Sequence, residues 1–270
     1  MTILVGYILA MVVGISLGVF GAGGSILTVP ILVYVVGVPP VLATAYSLLV
    51  VGVTSIVGAV TYIRRREVNI ATATVFAIPS VIAVYATRRF LVPAIPADVF
   101  AVGSYVVGRD TLIMLLFGVL MAWASIGMIR GRGTPTTEPL SHGSRRSALI
   151  AFEGLTVGVL TGLVGAGGGF LIVPVLVLAA GMTMRPAVGT SLIIITLKSV
   201  VGFAGDVSAG QRIDWIFLSL FTAFAVAGIV AGTLLSTRIS ETKVKPLFGW
   251  FVLVAGVVIV VTEILQGGIA

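Results

Sequence analysis

The stretch Gly18–Pro30 reads GVFGAGGSILTVP, and the stretch Gly162–Pro174 reads GLVGAGGGFLIVP. A shift of 144 positions aligns the two. Without a gap, the same shift aligns residues 14–58 with residues 158–202, and 18 of the 45 pairs are identical. Glycines and prolines recur in a fixed order, which apolar bias in composition alone does not explain. The chain therefore consists of two repeated halves.

Long apolar runs surround these stretches. The chain has 270 residues, of which 59% are hydrophobic and 9% charged, and its mean hydropathy is +1.23. Soluble domains carry about 25% charged residues. Continuous apolar runs indicate membrane-spanning helices, in which each backbone group is satisfied within its own segment. We predict an all-α, polytopic helical membrane protein with ten segments, at residues 3–20, 24–37, 41–63, 69–92, 111–130, 147–164, 168–181, 186–206, 214–237 and 246–265.

A polar linker at residues 131–147 separates a first transmembrane repeat, residues 1–130, from a second, residues 148–270. It is rich in Gly, Pro, Ser, Thr and Arg, as linkers are. The stretch Pro93–Asp110 is either a loop or a short interfacial helix. Glu153 lies near the start of a span, where it is either interfacial or part of a proton relay.

The charges predict the orientation of the helices. The net charge of +7 comes from basic clusters at helix ends, which favours membrane orientation over nucleic-acid binding. The cluster Arg64–Arg66 and the linker are predicted inside, and the loop Asp206–Asp214 outside. The halves are then inverted, an arrangement typical of secondary transporters. This assignment places Arg88, Arg89 and Arg109 outside, near Asp98 and Asp110.

Each half breaks at a glycine cluster and continues as a segment of only about 14 residues, or about 21 Å of helix. A bilayer core is about 30 Å thick, so each segment is predicted to be a half-helix in a hairpin. Inverted halves would bring the two glycine tips together near the midplane. The free N–H groups and the dipole of each helix start then form an anion site. The predicted tip residues are Gly21, Gly23, Gly24, Gly165, Gly167, Gly168 and Gly169.

Polar side chains complete the predicted substrate site. Lys198 lies within an apolar run, where it either neutralises the substrate, carries a coupling proton, snorkels or pairs with Asp206. Packing between helices is the alternative role for the glycines. No metal-ligand spacing, cofactor motif or catalytic pair is present, so neither a cofactor nor an enzymatic activity is predicted. The hydroxyl-bearing candidates are Ser25, Tyr46, Ser47, Thr190 and Ser191.

The repeated pattern G-x-x-G-A-G-G-x-x-x-x-x-P, followed by A-x-x-x-S-L, resembles the TauE/SafE sulfite exporter family. Its copies are Gly18–Pro30 with Ala43–Leu48, and Gly162–Pro174 with Ala187–Leu192. The resemblance implies movement of sulfite, an organosulfonate such as sulfoacetate, or a related sulfur-containing or organic anion. The leading prediction is a secondary transporter in the cell membrane that works by alternating access, with a proton as a possible coupling ion. An anion channel with the same tips is the alternative.

The predicted topology can be tested by cysteine labelling, because the chain has no cysteine. In His142→Cys, at the centre of the linker, the thiol should react with a membrane-impermeant maleimide only after the cells are opened. Gln211→Cys, in the loop predicted to be outside, is the control and should react in intact cells. Labelling of His142→Cys in intact cells would contradict the inverted arrangement.

Overall fold

The computed structural model describes residues 2–20, 25–102, 105–129, 144–165, 167–178, 181–236 and 241–267. Within these ranges ten helices match the ten predicted segments, which confirms the all-α class. The first half contains α1 (Thr2–Phe20), α2 (Ser25–Val36), α3 (Pro40–Arg64), α4 (Ile70–Ala94) and α5 (Arg109–Ile129). The second contains α6 (Ser144–Val164), α7 (Gly169–Leu178), α8 (Met184–Ser208), α9 (Trp215–Ser236) and α10 (Glu241–Gly267).

By length and composition, four of the described helices are suited to cross a membrane, namely α3, α4, α8 and α9. Large apolar side chains cover the outside of the bundle. On α9, for example, Ile216 is 77% exposed and Leu234 is 71% exposed. Surfaces of this kind are stable against lipid and would be a liability in water.

The segment after α4 differs from both alternatives. The helix continues to Ala94, and a hairpin of two antiparallel strands follows, β1 (Asp98–Val102) and β2 (Tyr105–Gly108). Pro96 ends the helix because it lacks an N–H group, and the valines and aromatic residues beyond it favour strands. At the other boundary, α6 begins at Ser144, inside the predicted linker. The rest of that linker lies outside the described residues.

The short helices α2 and α7 end in the same way. Val38 N–H donates to the Leu32 carbonyl at 2.9 Å, and Met182 N–H donates to the Leu176 carbonyl at 3.1 Å. The residues before these donors, Gly37 and Gly181, have φ values of 82° and 58°. A glycine in the left-handed region thus ends each helix, as is common at helix C-termini. Since α7 has ten residues, or about 15 Å, the prediction of short helices is confirmed.

The first helix of each half packs against a helix of the other half. Helix α1 packs along α9, and its counterpart α6 packs along α4. Matched glycines form both contacts. A Cβ added to Gly14 would overlap the Ala225 carbonyl, and one added to Gly158 would lie 2.6 Å from the Ser80 carbonyl. These glycines therefore allow backbones to approach closely.

The counterparts α3 and α8 pack against each other in opposite directions. A Cβ on Gly202, late in α8, would lie 3.2 Å from Leu48, early in α3. A Cβ on Gly58, late in α3, would lie 3.3 Å from Leu192, early in α8. Antiparallel counterparts are what inverted halves require. The orientation of the halves in a membrane stays a prediction.

The α4–α6 contact predicts that Gly158→Val is destabilising, because the added carbons meet the backbone of Ser80. The expected loss is about 1–3 kcal/mol, which is typical of overpacking, measured as a lower melting temperature of the purified protein in detergent. The control is Leu155→Val on the same helix, since the Leu155 side chain is 46% exposed. Equal melting temperatures for the two variants would contradict the close contact.

Candidate substrate site

The second glycine cluster forms a break between α6 and α7. Gly165, Gly167 and Gly168 have φ values of 71°, 62° and 68°, a region that other residues adopt only with strain. The Gly168 carbonyl accepts hydrogen bonds from the N–H groups of Leu171 and Ile172, both at 3.0 Å. The break is therefore a defined loop from which α7 starts. We call residues 165 and 167–168 the glycine loop.

The start of the glycine loop packs against two helices of the first half. A Cβ on Gly165 would overlap Thr44 of α3 and lie 2.5 Å from Nη2 of Arg88 on α4. A Cβ on Gly167 would overlap Val51 of α3 and lie 3.5 Å from the Ser199 hydroxyl on α8. The absence of side chains on these glycines is what allows the loop to fit among the helices.

Lys198 lies beside the end of the same loop. It is completely buried, and its Nζ donates a hydrogen bond to Thr161 Oγ1 at 2.9 Å. A Cβ on Gly168 would overlap both Lys198 Nζ and Thr161. The structure thus brings Lys198 and the predicted tip glycines of the second half together.

Two of the alternatives for Lys198 are wrong. It does not snorkel, since no part of it reaches the surface. It does not pair with Asp206, because that carboxylate pairs with Arg88. Among the described residues, no carboxylate lies within 4.0 Å of Lys198 Nζ.

Two positive groups lie beside the end of the glycine loop at Gly168. Helix α7 presents its N-terminus there, which carries about half a positive charge, and the Lys198 amine adds a second positive group when protonated. An anion between them would be attracted to both.

Two buried serines near the loop have no hydrogen-bond partner for their hydroxyls within the described residues, Ser47 on α3 and Ser199 on α8. Ser47 occupies the same face of α3 as Thr44 and Val51, because the three are spaced three and four residues apart. Its counterpart Ser191 instead donates to the Val188 carbonyl at 2.8 Å. Ser47 and Ser199 therefore have unused hydrogen-bonding capacity beside the loop.

The counterparts Tyr46 and Thr190 make matching hydrogen bonds between the halves. Tyr46 Oη accepts from the Asp214 N–H at 2.8 Å, and Thr190 Oγ1 accepts from the Asn69 N–H at 3.0 Å. Asp214 and Asn69 precede α9 and α4, and the Asn69 side chain caps its helix. Each hydroxyl thus accepts a hydrogen bond at the start of a helix in the other half.

The first cluster, Gly21, Gly23 and Gly24, lies outside the described residues, so a site shared by two tips stays a prediction. Ser25 begins α2 and is completely buried. Gly169, the last residue of the second cluster, is the first residue of α7.

Sequence reasoning misplaced Arg88. It was expected outside, near Asp98 and Asp110, but it is completely buried inside the bundle. Its Nη1 donates to Thr44 Oγ1 at 2.9 Å and lies 3.5 Å from Asp206 Oδ1. The reason is that α4 winds as a π-helix over Thr87–Leu91 before it ends at Ala94, which turns Arg88 towards the inside of the bundle. The apolar residues on both sides of the arginine pair were the available signal.

Comparison with known proteins identifies relatives over nearly the whole chain. The profile of the family described as "Sulfite exporter TauE/SafE" matches residues 7–259. A probable membrane transporter protein of Xylella fastidiosa (strain Temecula1) is 30% identical over 252 residues, 92% of this chain and 91% of that protein. The probable membrane transporter protein YunE of Bacillus subtilis is 28% identical over 225 residues, 78% of this chain and 80% of its own. No solved structure matches the chain.

The Tyr46 hydrogen bond leads to a test of its role. Tyr46→Phe removes the acceptor for the Asp214 N–H, so we expect a loss of about 1 kcal/mol in stability with anion binding unchanged. Melting temperatures with and without sulfite measure both quantities. Tyr7→Phe is the control, because Tyr7 stacks on Phe217 and Phe224 through its ring. Loss of the sulfite effect in Tyr46→Phe alone would instead place the hydroxyl in the substrate site.

Proposed function

The chain belongs to the TauE/SafE sulfite exporter family, and we propose that it is a secondary transporter that binds a small anion at the glycine loop. The proposed substrates are sulfite, an organosulfonate or a related sulfur-containing or organic anion. The family and its relatives, which are named as probable membrane transporters, support transport across the membrane. The substrate class rests on the family description and on the charge of the site.

The observation that carries this proposal is the position of Lys198. A charged amine buried without a counter-charge is strongly unfavourable, because its desolvation costs several kcal/mol that no partner returns. No carboxylate of the described residues offsets that cost. A bound anion would offset the desolvation cost of the amine, and the amine would offset the desolvation cost of the anion.

The neighbours of Lys198 suit a small oxyanion. Thr161 already contacts the amine, and the buried hydroxyl of Ser199 lies beside Gly167. The start of α7 adds backbone N–H groups and the positive end of its dipole. Such a site would select by charge and size, because the surrounding helices limit the room at the loop.

Alternating access is the mechanism that we propose. The halves meet through the antiparallel pair α3–α8, and the glycine loop contacts both of these helices. Rocking of one half against the other would then expose the loop first to one side and then to the other, as in transporters built from inverted repeats. Tyr46 and Thr190 accept hydrogen bonds from the opposite half, and such a motion would break these two bonds one after the other. A proton is the proposed coupling ion.

An anion channel would use the same site without alternating closure. Counterflow separates the two functions. Proteoliposomes loaded with unlabelled sulfite should transiently accumulate labelled sulfite if the protein is a transporter. A channel would only let the label equilibrate.

Lys198→Met tests the site itself. Met keeps the unbranched shape but has no charge, so sulfite affinity should fall by about 10- to 100-fold, as expected for a charge-assisted contact of about 1.5–3 kcal/mol. Sulfite-dependent thermal stabilisation in detergent and uptake into proteoliposomes measure the loss. Substitution at Gly168 is a poorer test, because its positive φ would add strain.

The control for this experiment is Leu197→Met, one position away on the same helix, whose side chain is 48% exposed. It should bind and transport as the unmodified protein does. Normal sulfite binding by Lys198→Met would remove the amine from the site and with it the main support for the proposed function.

A further inference from the structure

Arg88 and Asp206 form a completely buried ion pair that is only partly satisfied. Arg88 is 0% exposed and Asp206 is 1% exposed, and the two meet at 3.5 Å. Charge-assisted hydrogen bonds are normally about 2.7–2.9 Å long. Within the described residues, Arg88 Nε, Arg88 Nη2 and Asp206 Oδ2 have no hydrogen-bond partner. Arg88 therefore has unused hydrogen-bond donors, and its contact with the Asp206 carboxylate is long.

The free side of Arg88 faces the glycine loop. Its Nη2 is the atom that lies next to Gly165, as described above. Gly165 and Gly168 are three residues apart, a span of at most about 11 Å. Arg88 and Lys198 thus border opposite ends of one short loop, and a ligand held at the loop is within reach of both.

The described groups around Asp206 come from α3 and α4. From α4 come Arg88 and Tyr85, which pack against Gly205, the residue before Asp206. From α3 comes the uncharged Thr44, through its bond to Arg88. In the described part of the chain, Arg88 is the one cation within 4.0 Å of the carboxylate.

We propose that Arg88 is a second cationic contact for the substrate and that Asp206 is the residue that couples anion movement to a proton. This inference rests on the proposed function. The arriving anion pairs with Arg88, and the ion pair between Arg88 and Asp206 breaks. The Asp206 carboxylate then accepts one proton from water, so that an O–H bond forms on Asp206. When the anion leaves, Asp206 returns that proton to water and pairs with Arg88 again. Arg88 keeps its charge throughout.

Asp206 must gain a proton when it loses Arg88 because its carboxylate is buried. A carboxylate without a counter-charge is strongly disfavoured in a desolvated site, whereas a protonated carboxyl group is tolerated there. One anion bound at Arg88 therefore brings one proton to Asp206. Asp206 lies in the last turn of α8, which ends at Ser208, so the proton has a short path to the end of the helix.

Proton uptake during binding tests the inference without requiring transport. Sulfoacetate is a suitable probe, because its sulfonate and carboxylate groups both stay ionised between about pH 6 and 8 and do not exchange protons themselves. It is added to weakly buffered protein in detergent containing a pH-sensitive dye. We expect about one proton taken up per sulfoacetate bound, and an affinity that rises up to about tenfold for each unit by which the pH falls.

Asp206→Asn should take up about one proton fewer per sulfoacetate bound than the unmodified protein, a difference to which a proton taken up by Lys198 does not contribute, and its affinity should depend less on pH. The matched control is Glu153→Gln, which removes a half-buried acid with an unpartnered oxygen from α6 and should leave proton uptake unchanged. If Asp206→Asn fails to fold with Arg88 unpaired, the double variant Arg88→Gln with Asp206→Asn contains no isolated charge. It too should take up about one proton fewer than the unmodified protein.

The outcomes separate this inference from the proposed function. Sulfoacetate binding by the unmodified protein without proton uptake would overturn the coupling role and leave the anion site intact. Proton uptake that is as large in Asp206→Asn as in the unmodified protein, or is lost in Glu153→Gln, would assign the proton to another group. No thermal stabilisation by sulfoacetate or by sulfite would overturn the proposed function, and the coupling with it.

Discussion

A broken helix inside a membrane must have its backbone covered by protein, since lipid offers no hydrogen bonds. The glycine loop between α6 and α7 meets this constraint by packing among α3, α4, α6 and α8. Close packing is possible only because Gly165, Gly167 and Gly168 have no side chains. The same requirement draws Arg88, Thr161 and Lys198 to the loop, because polar side chains are stable at this depth only next to other polar groups. The packing around this one backbone break thus explains where these three buried polar side chains lie.

The exchange of first helices holds the halves around this loop. Helix α6 packs on α4 and α1 packs on α9. The glycine-bearing helices α1 and α6 therefore each pack against the half to which they do not belong. The antiparallel pair α3–α8 lies between these two contacts and carries Lys198. Motion between the halves would therefore act directly on the helix that borders the proposed site.

The helices and the repeat could be predicted from the sequence, because membrane spans depend on apolar length and repeats on matched glycines and prolines. Lys198 could be singled out for a similar reason, since a cation in an apolar run is rare. Arg88 could not be placed, because a π-helical turn within α4 carries it into the bundle and no local pattern indicated that turn. The contacts of Tyr46 with Asp214 and of Thr190 with Asn69 join residues that are more than one hundred positions apart, which spacing along the chain cannot reveal.

The two exchanged contacts differ in the order in which ribosomal synthesis makes them possible. Helix α6 emerges after α4, so its partner is already present. Helix α1 must wait for α9, roughly 200 residues later, or about 10–40 s at common rates of translation. During that interval Gly14 and Gly18 face lipid or the insertion machinery. The two halves, matched in their final contacts, therefore cannot assemble by matched routes, and the contact of α1 forms later than that of α6.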